Sequence, residues 1–387
     1  MRSYFDENIS KTYANDPLLM RVYTSRLLGK SKDLVLHGGG NTSVKIDDTI
    51  YVKGSGWDLS TIKKEGFAPV KTDALLDMAK VEKLSDSQMV MEQKAAMIDK
   101  NAPNPSIEAI LHAVIPYKYV DHTHADAVVT ITNTPDAKEY LRQIYGDSVL
   151  IIEYIMPGFP LAKAVYERTK NLDFDQIEGI VLLNHGVFTF DDSAKRSYEK
   201  MISLVSKAED FLQKNAPIEF NDKKNPTVNI DNLANEVSRL RGERVFPKEI
   251  ATSAAHEFSR LENIREILHK GPLTPEHVIR TKAFAMLWQS DFKEDLENFV
   301  KEYKEYFNTY AKDEIMLDPA PRWCVIKNRG VVVFGTNEKE NSILSDIISH
   351  TMVAILRTQK FASWKSLSKK DIFEMEYWEL EQAKLKK

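Results

Sequence analysis

At 387 residues, with 43% hydrophobic side chains, the chain exceeds the usual size of one domain and carries enough apolar residues for two cores. A formal net charge of −4 and a pI near 6.2 supply no broad basic field, which argues against a nucleic-acid partner. Met1-Arg2-Ser3-Tyr4-Phe5-Asp6 lacks the apolar core of a secretory signal, no run of about 18 apolar residues spans a bilayer, and the single Cys324 cannot form an internal disulfide, so a cytoplasmic protein without a membrane partner is expected.

Leu18, Leu19, Val22, Leu27 and Leu28 fall at helical spacing and predict a helix that ends at Gly29. Leu34-Val35-Leu36-His37 reads as a short strand running into Gly38-Gly39-Gly40-Asn41-Thr42-Ser43-Val44-Lys45-Ile46. Glycines let successive N–H groups turn toward one point, a nest suited to a phosphate dianion, although the triplet also reads as a flexible turn. It is not a Walker loop, because no Gly-Lys-Ser/Thr follows. Ile50-Tyr51-Val52 is a second strand, leading to Lys53-Gly54-Ser55-Gly56, which taken alone is a hairpin-edge turn. Thr72 to Lys83 predicts a helix, and Ser85 to Met97 is a further candidate segment without a chemical motif.

Pro105-Ser106-Ile107-Glu108 opens a helical-looking run to Pro116. Ser106 suits an N-cap, and Glu108 suits the first turn, where a carboxylate meets the positive end of the helix. His112, four residues on, shares that face and reads as a packed or hydrogen-bonded helix histidine. Asp121-His122-Thr123-His124-Ala125-Asp126 then leads into the apolar run Ala127-Val128-Val129-Thr130-Ile131, a helix-to-strand unit. Side chains alternate along a strand, so His122 and His124 project from one side, either to converge on an ion or to form a partly buried hydrogen-bonded pair.

Val149-Leu150-Ile151-Ile152 is an apolar strand, followed by Glu153-Tyr154-Ile155-Met156. Two strand-like runs, Gly179 to Leu183 and Val187 to Phe190, flank an Asn184-His185-Gly186 turn that supplies a third candidate ligand. Three neutral imidazoles with one open position make a catalytic zinc arrangement, since closed structural sites usually take four ligands rich in cysteine. Ala194 to Leu212 predicts an amphipathic helix with Tyr198, Met201, Ile202, Val205, Ala208 and Leu212 on its apolar side.

Asn215 to Thr227, with Pro217, Pro226 and a polar run between them, is the expected linker, dividing the chain into domains 1–215 and 228–387. Past the linker, Cys324–Lys339 echoes Ile180–Lys195 with six of sixteen positions identical, among them Asn184/Asn328, Gly186/Gly330, Val187/Val331 and Phe190/Phe334. The C-terminal domain is therefore read as a smaller α/β domain and a degenerate copy, with chance similarity as the alternative. His185 has become Arg329 there, and an arginine cannot give up its charge to bind zinc, so this copy should carry no metal. His277 lacks a second histidine beside it, and Arg239, Arg241 and Arg244 read as a solvated face, with an anion or a neighbouring subunit as the alternative partner.

Gly38–Ser43, Lys53–Gly56, Pro105–Glu108, His122-Thr123-His124 and Asn184-His185-Gly186-Val187, in that order over about the first 215 residues, resemble the class II aldolase/adducin family, which includes fuculose-phosphate and rhamnulose-phosphate aldolases. Leu111-His112-Ala113 and Val120-Asp121-His122-Thr123-His124 are similar in wording to the aldolase part of bifunctional rhamnulose-phosphate aldolase/lactaldehyde dehydrogenase proteins. The chain stops at Glu379 to Leu385, about where their dehydrogenase would begin, so that part is expected to be absent.

The resemblance implies a three-layer α/β/α domain around a central, mainly antiparallel sheet, assembled as a homo-oligomer, a tetramer, with sites between subunits. It implies zinc, or another divalent cation, on His122, His124 and His185, and a phosphate cradle of Asn41, Ser55, Gly56 and Ser106. Glu108 would be the catalytic acid/base, and Tyr154 a proton donor reaching a neighbouring subunit's site. The implied reaction, that of rhamnose degradation, cleaves a ketose 1-phosphate of the rhamnulose type to dihydroxyacetone phosphate and an aldehyde such as lactaldehyde. The ion would stabilise an enediolate formed as Glu108 moves a C–H proton. Epimerisation at C4 of a pentulose phosphate, dehydration of a ketose phosphate and decarboxylation are the alternatives on this scaffold. A non-catalytic adducin-like module is the alternative of a different class, and a scaffold has no need to keep these histidines together with Glu108.

Overall fold

Strands β1 (Asn41–Ile46), β2 (Thr49–Lys53), β3 (Phe67–Lys71), β4 (Tyr119–Thr123), β5 (Val149–Ile152), β6 (Gly179–Leu182) and β7 (Gly186–Asp191) form one sheet in the order β3-β2-β1-β4-β7-β6-β5. Every neighbouring pair is antiparallel except β5 with β6. The structure, a computed structural model, describes residues 1–37, 39–220, 228–380 and 382. Gly38 of the glycine triplet and residues 221–227 of the expected linker lie outside the described residues.

Helices cover both faces of this sheet. On one face Val120, Phe188 and Phe190 pack into a cluster with Leu111 and Ile115 and with Leu161 and Val165 of the Phe159–Thr169 helix. On the other face Asp121 and Thr123, the alternate residues of β4, meet Ser197 and Met201 of the Ala194–Asn215 helix at 2.5 and 3.1 Å. The apolar positions expected on that helix, from Tyr198 to Leu212, are all buried. Period-2 alternation in β4 and period-3.6 patterning in the helices thus give a three-layer α/β/α unit.

Three local expectations are corrected. Leu34–His37 is not a strand: the Leu34 and Val35 amides bond back to the Ser31 carbonyl at 3.1 and 3.2 Å, and His37 takes φ +41°, so the segment closes on itself before β1 begins at Asn41. The strand of the His-x-His unit is Tyr119–Thr123, and the apolar run after it is a helix, Asp126–Thr132. Glu108 does not lie in a first helical turn either. The helix runs from Ala109 to Val114, and the Ser106 hydroxyl accepts from the Glu108 amide at 3.2 Å, leaving the Glu108 side chain to point elsewhere.

The chain divides into two units, Met1–Thr132 with Asp136–Phe211 and Asn133–Pro135 with Leu212–Lys387. The second unit contains β8 (Phe246–Ile250), β9 (Met286–Trp288), β10 (Trp323–Ile326) and β11 (Gly330–Gly335), ordered β8-β11-β10-β9. Its pairs repeat a pattern of the first sheet: β8 and β10 are antiparallel to β11 and β9 is parallel to β10, as β4 and β6 are antiparallel to β7 and β5 is parallel to β6. The connecting turns match as well, with Asn184 at φ +57° and Asn328 at φ +61° and the next amide returning to the carbonyl of Leu182 or Ile326. No helix among the described residues is long and apolar enough to cross a membrane.

Candidate metal and active site

The β4 register sets His122 opposite Asn41 on one side and Phe188 on the other. The imidazole stacks on the Phe188 ring, 3.9 Å between centroids, and its Nδ1–H donates to the Val187 carbonyl at 3.1 Å. That bond fixes the tautomer and leaves Nε2 as the lone-pair end. His124 comes just past the strand, and its Nε2 lies 3.0 Å from His122 Nε2. The left-handed Asn184 turn delivers His185, whose ring centroid is 5.2 Å from that of His122 and 5.0 Å from that of His124. One nitrogen from each ring falls within 4.8 Å of the other two.

Two glycines make room for this cluster. A Cβ on Gly186 would stand 2.4 Å from the Thr123 carbonyl oxygen and 3.0 Å from ring carbons of both His122 and His124. Gly40, at φ +62°, lies so close to β4 that a Cβ would be 2.7 Å from the His122 carbonyl.

Glu108 is buried beside the histidines, with Oε2 at 3.6 Å from His122 Nε2 and Oε1 at 3.5 Å from His185 Nε2. Oε2 accepts a hydrogen bond from Asn41 Nδ2 at 2.6 Å, and Asn41 Oδ1 pairs with His112 Nε2. His112 Nδ1 meets the Ser43 hydroxyl at 2.8 Å. Burial pushes His112 down to about 3, so its ring is neutral at ordinary pH. Lys45 donates to the Ile115 and Tyr117 carbonyls and so caps the C-terminal end of the helix that carries His112.

The remaining expected residues divide into two groups. Ser106 N donates to the Lys53 carbonyl at 3.1 Å and Ser55 N to the Asn104 carbonyl at 2.8 Å, so the Ser55-Gly56 turn and Ser106 sit side by side. Gly56, at φ +87°, has open space where a side chain would project. Tyr154 stands apart from this group, in the loop after the edge strand β5, with its hydroxyl 3.8 Å from the Met156 sulfur.

The model for the family described as Class II Aldolase and Adducin N-terminal domain matches residues 21–212, and that described as Aldolase class II, second domain, matches residues 227–385. The chain belongs to the class II aldolase and adducin family. A solved N-terminal class II aldolase domain of a conserved protein from Thermoplasma acidophilum is 41% identical, covering 55% of this chain and 99% of that one, with a TM-score of 0.50. An L-fuculose-1-phosphate aldolase from Thermus thermophilus is 16% identical over 51% of this chain and 95% of that one, with a TM-score of 0.35. The uncharacterized oxidoreductase YuxG of Bacillus subtilis (strain 168) is 28% identical over 94% of this chain, which spans 57% of that protein's length.

Class II aldolases typically use a divalent metal, and the donor set of this member fits one. One nitrogen from each of three imidazoles, all within 4.8 Å of one another, beside a carboxylate oxygen that is buried with no hydrogen-bond partner among the described residues, makes a donor set that suits a divalent cation. His122, His124 and His185 would hold it.

The class II aldolase site also rests on residues that the sequence reading passed over. Arg21 and Asp121, both fully buried, pair at 2.5 Å on the sheet face behind His122, and Ser197 donates to the second Asp121 oxygen. The signals were an arginine between Leu18 and Val22 on an apolar helix and an aspartate next to the first histidine of the pair.

Proposed function

We propose that the chain is a zinc-dependent aldolase that cleaves a ketose 1-phosphate of the rhamnulose 1-phosphate type to dihydroxyacetone phosphate and an aldehyde such as lactaldehyde. One observation carries the reading: the buried Glu108 carboxylate lies 3.5–3.6 Å from two of the three clustered imidazoles. A divalent cation there supplies Lewis-acid polarisation of a substrate carbonyl. Asn41, Ser55, Gly56 and Ser106 bind the phosphate, drawing on the second Asn41 Nδ2 hydrogen, the two hydroxyls and the open backbone at Gly56. Glu108 then returns a proton to the carbon beside the carbonyl in the cleavage direction and removes it in the reverse direction. Tyr154, from a neighbouring copy in a tetramer, is the proton donor to the aldehyde oxygen in the addition direction and takes the hydroxyl proton back in cleavage, consistent with its place beyond an edge strand.

The second unit, 228–387, is on this reading a degenerate copy of the β4–β7 half of the first, 1–215. Laid strand on strand, the ladders put Glu249 at the His122 position, since Glu249 faces Val332 as His122 faces Phe188, and Arg329 at the His185 position. A carboxylate and a guanidinium in those places favour each other over a cation, so the copy holds no metal.

The test is a cleavage assay on ketose 1-phosphates and pentulose 5-phosphates, with and without chelator, identifying the products. Release of dihydroxyacetone phosphate that chelator abolishes is the expected result. Conversion of a pentulose 5-phosphate to its C4 epimer, with no cleavage of any ketose 1-phosphate, would replace the reading with epimerisation.

A further inference from the structure

The two oxygens of Glu108 are in different surroundings. Oε2 is anchored by Asn41, whereas Oε1 is buried, lacks a hydrogen-bond partner among the described residues, and faces His185. The Asn41 amide is held at both ends, its NH₂ by Glu108 and its carbonyl oxygen by His112, so the hydrogen on His112 helps decide which way it lies. His112 is buried, and the proposed mechanism does not use it.

We propose that His112 is a positioning residue, which orients the Asn41 amide so that Glu108 is gripped through Oε2 and offers Oε1 to the substrate. This rests on Glu108 being the group that moves the substrate proton.

The argument follows the hydrogens. With its NH₂ on Glu108, Asn41 turns its carbonyl oxygen to His112, and an amide oxygen only accepts. His112 must therefore carry its hydrogen on Nε2. A neutral imidazole has one hydrogen, so Nδ1 is the acceptor, and Ser43 must donate to it at 2.8 Å. Every bond then runs one way, from the Ser43 hydroxyl to His112 to Asn41 to Glu108 Oε2. The reversed chain would place the His112 hydrogen on Nδ1 and set the Asn41 carbonyl oxygen against Glu108 Oε2, two acceptor atoms across 2.6 Å. The His112 ring is held in plane for this role by Phe188, edge to face at 5.6 Å between centroids, and by the capped helix below it.

Two measurements on the metal-loaded full chain test the assignment. In protein with ¹⁵N-labelled histidine, the resonances absent from His112→Phe belong to His112. The expected spectrum has the hydrogen on Nε2; a hydrogen on Nδ1 overturns the proposal whatever the enzyme's substrate. The second measurement is exchange of the C3 hydrogen of dihydroxyacetone phosphate with D₂O. His112→Phe is expected to bind metal as the wild type does and to hold the probe less tightly through the released Asn41 amide, while kcat for exchange falls about a hundredfold, the scale of a misplaced reacting group. His112→Gln, which keeps a donor in reach of Asn41, should recover most of the loss. Unchanged kcat in a folded, metal-loaded His112→Phe overturns the proposal, as does a kcat loss that Gln does not relieve. Should His112→Phe fail to fold, Ser43→Ala removes only the terminal donor, and an unaltered kcat there is the overturning result. A wild type that exchanges no hydrogen overturns the assigned chemistry instead, and the tautomer then decides the arrangement alone.

Discussion

Asn41 Nδ2 donates to Glu108 Oε2 across 2.6 Å, joining the first residue of β1 to the residue just before the Ala109–Val114 helix. They are far apart in sequence, and the bond ties the glycine loop to the acid/base candidate. The Glu108 side chain is thereby taken away from the helix end it would otherwise cap, and its placement answers to the histidine cluster.

Glu108→Gln should retain metal and lose proton transfer. The substitution keeps the shape and removes the group that takes up the proton, so exchange of dihydroxyacetone phosphate should drop by about 10²- to 10⁴-fold. Metal analysis and exchange on the same preparation check it, and normal exchange would refute the assigned base.

Replacing His185 with Ala should lower the metal content of purified protein, and Gly186→Ala should do so without touching a ligand. The added methyl meets the Thr123 carbonyl at 2.4 Å and both neighbouring imidazoles at 3.0 Å, so the rings must part. With far-UV circular dichroism unchanged, tighter rather than weaker metal retention in Gly186→Ala would contradict the described cluster. In the wild type the content should be one equivalent per chain, since the proposed second copy has Glu249 and Arg329 at the positions of His122 and His185.

Acid should destabilise the first unit partly through His112. The unfolded imidazole takes up a proton near 6.5 and the folded one near 3, so between these values the unfolded state binds the extra proton. Stability is therefore complete above the upper value and falls as pH drops through the window, by about 1.4 kcal/mol per pH unit. Urea denaturation of wild type and His112→Phe across this range should show the shallower fall in the variant; parallel curves would exclude the effect.

Asp121→Ala should cost about 3–5 kcal/mol, because it strands the Arg21 guanidinium in a fully buried place with no counter-charge among the described residues, beside neutral groups such as Thr24, Ser25, the Ser43 carbonyl and the Tyr119 ring. The pairing also supports β4 from behind, so metal affinity should decline with stability. Chemical denaturation gives the first quantity and competition with a chelating dye the second.

The sequence disclosed the elements with local signatures. The Ala194–Asn215 helix, the β6 and β7 strands and the His-x-His pair each announce themselves by periodicity or spacing. What it concealed were consequences of register. Nothing near Asn41 shows that β1 lies beside β4 and so brings its amide to Glu108, and nothing near His112 shows that Ser43 and Asn41 occupy its two nitrogens. Leu34–His37 misled because a run of three apolar residues looks alike in a strand and in a buried turn, and only the return of its amides to Ser31 decides between them.

Among the described residues the second sheet has the pairing pattern of four strands of the first and no counterparts of β1, β2 and β3, so β8 ends its sheet where β4 has a neighbour. An unfinished border of this kind invites another chain to add itself by main-chain pairing. Pro247 offers no N–H there and Lys248 brings a charge, the devices by which natural borders discourage such addition. Removing both should turn an ordinary surface into a seed for aggregation.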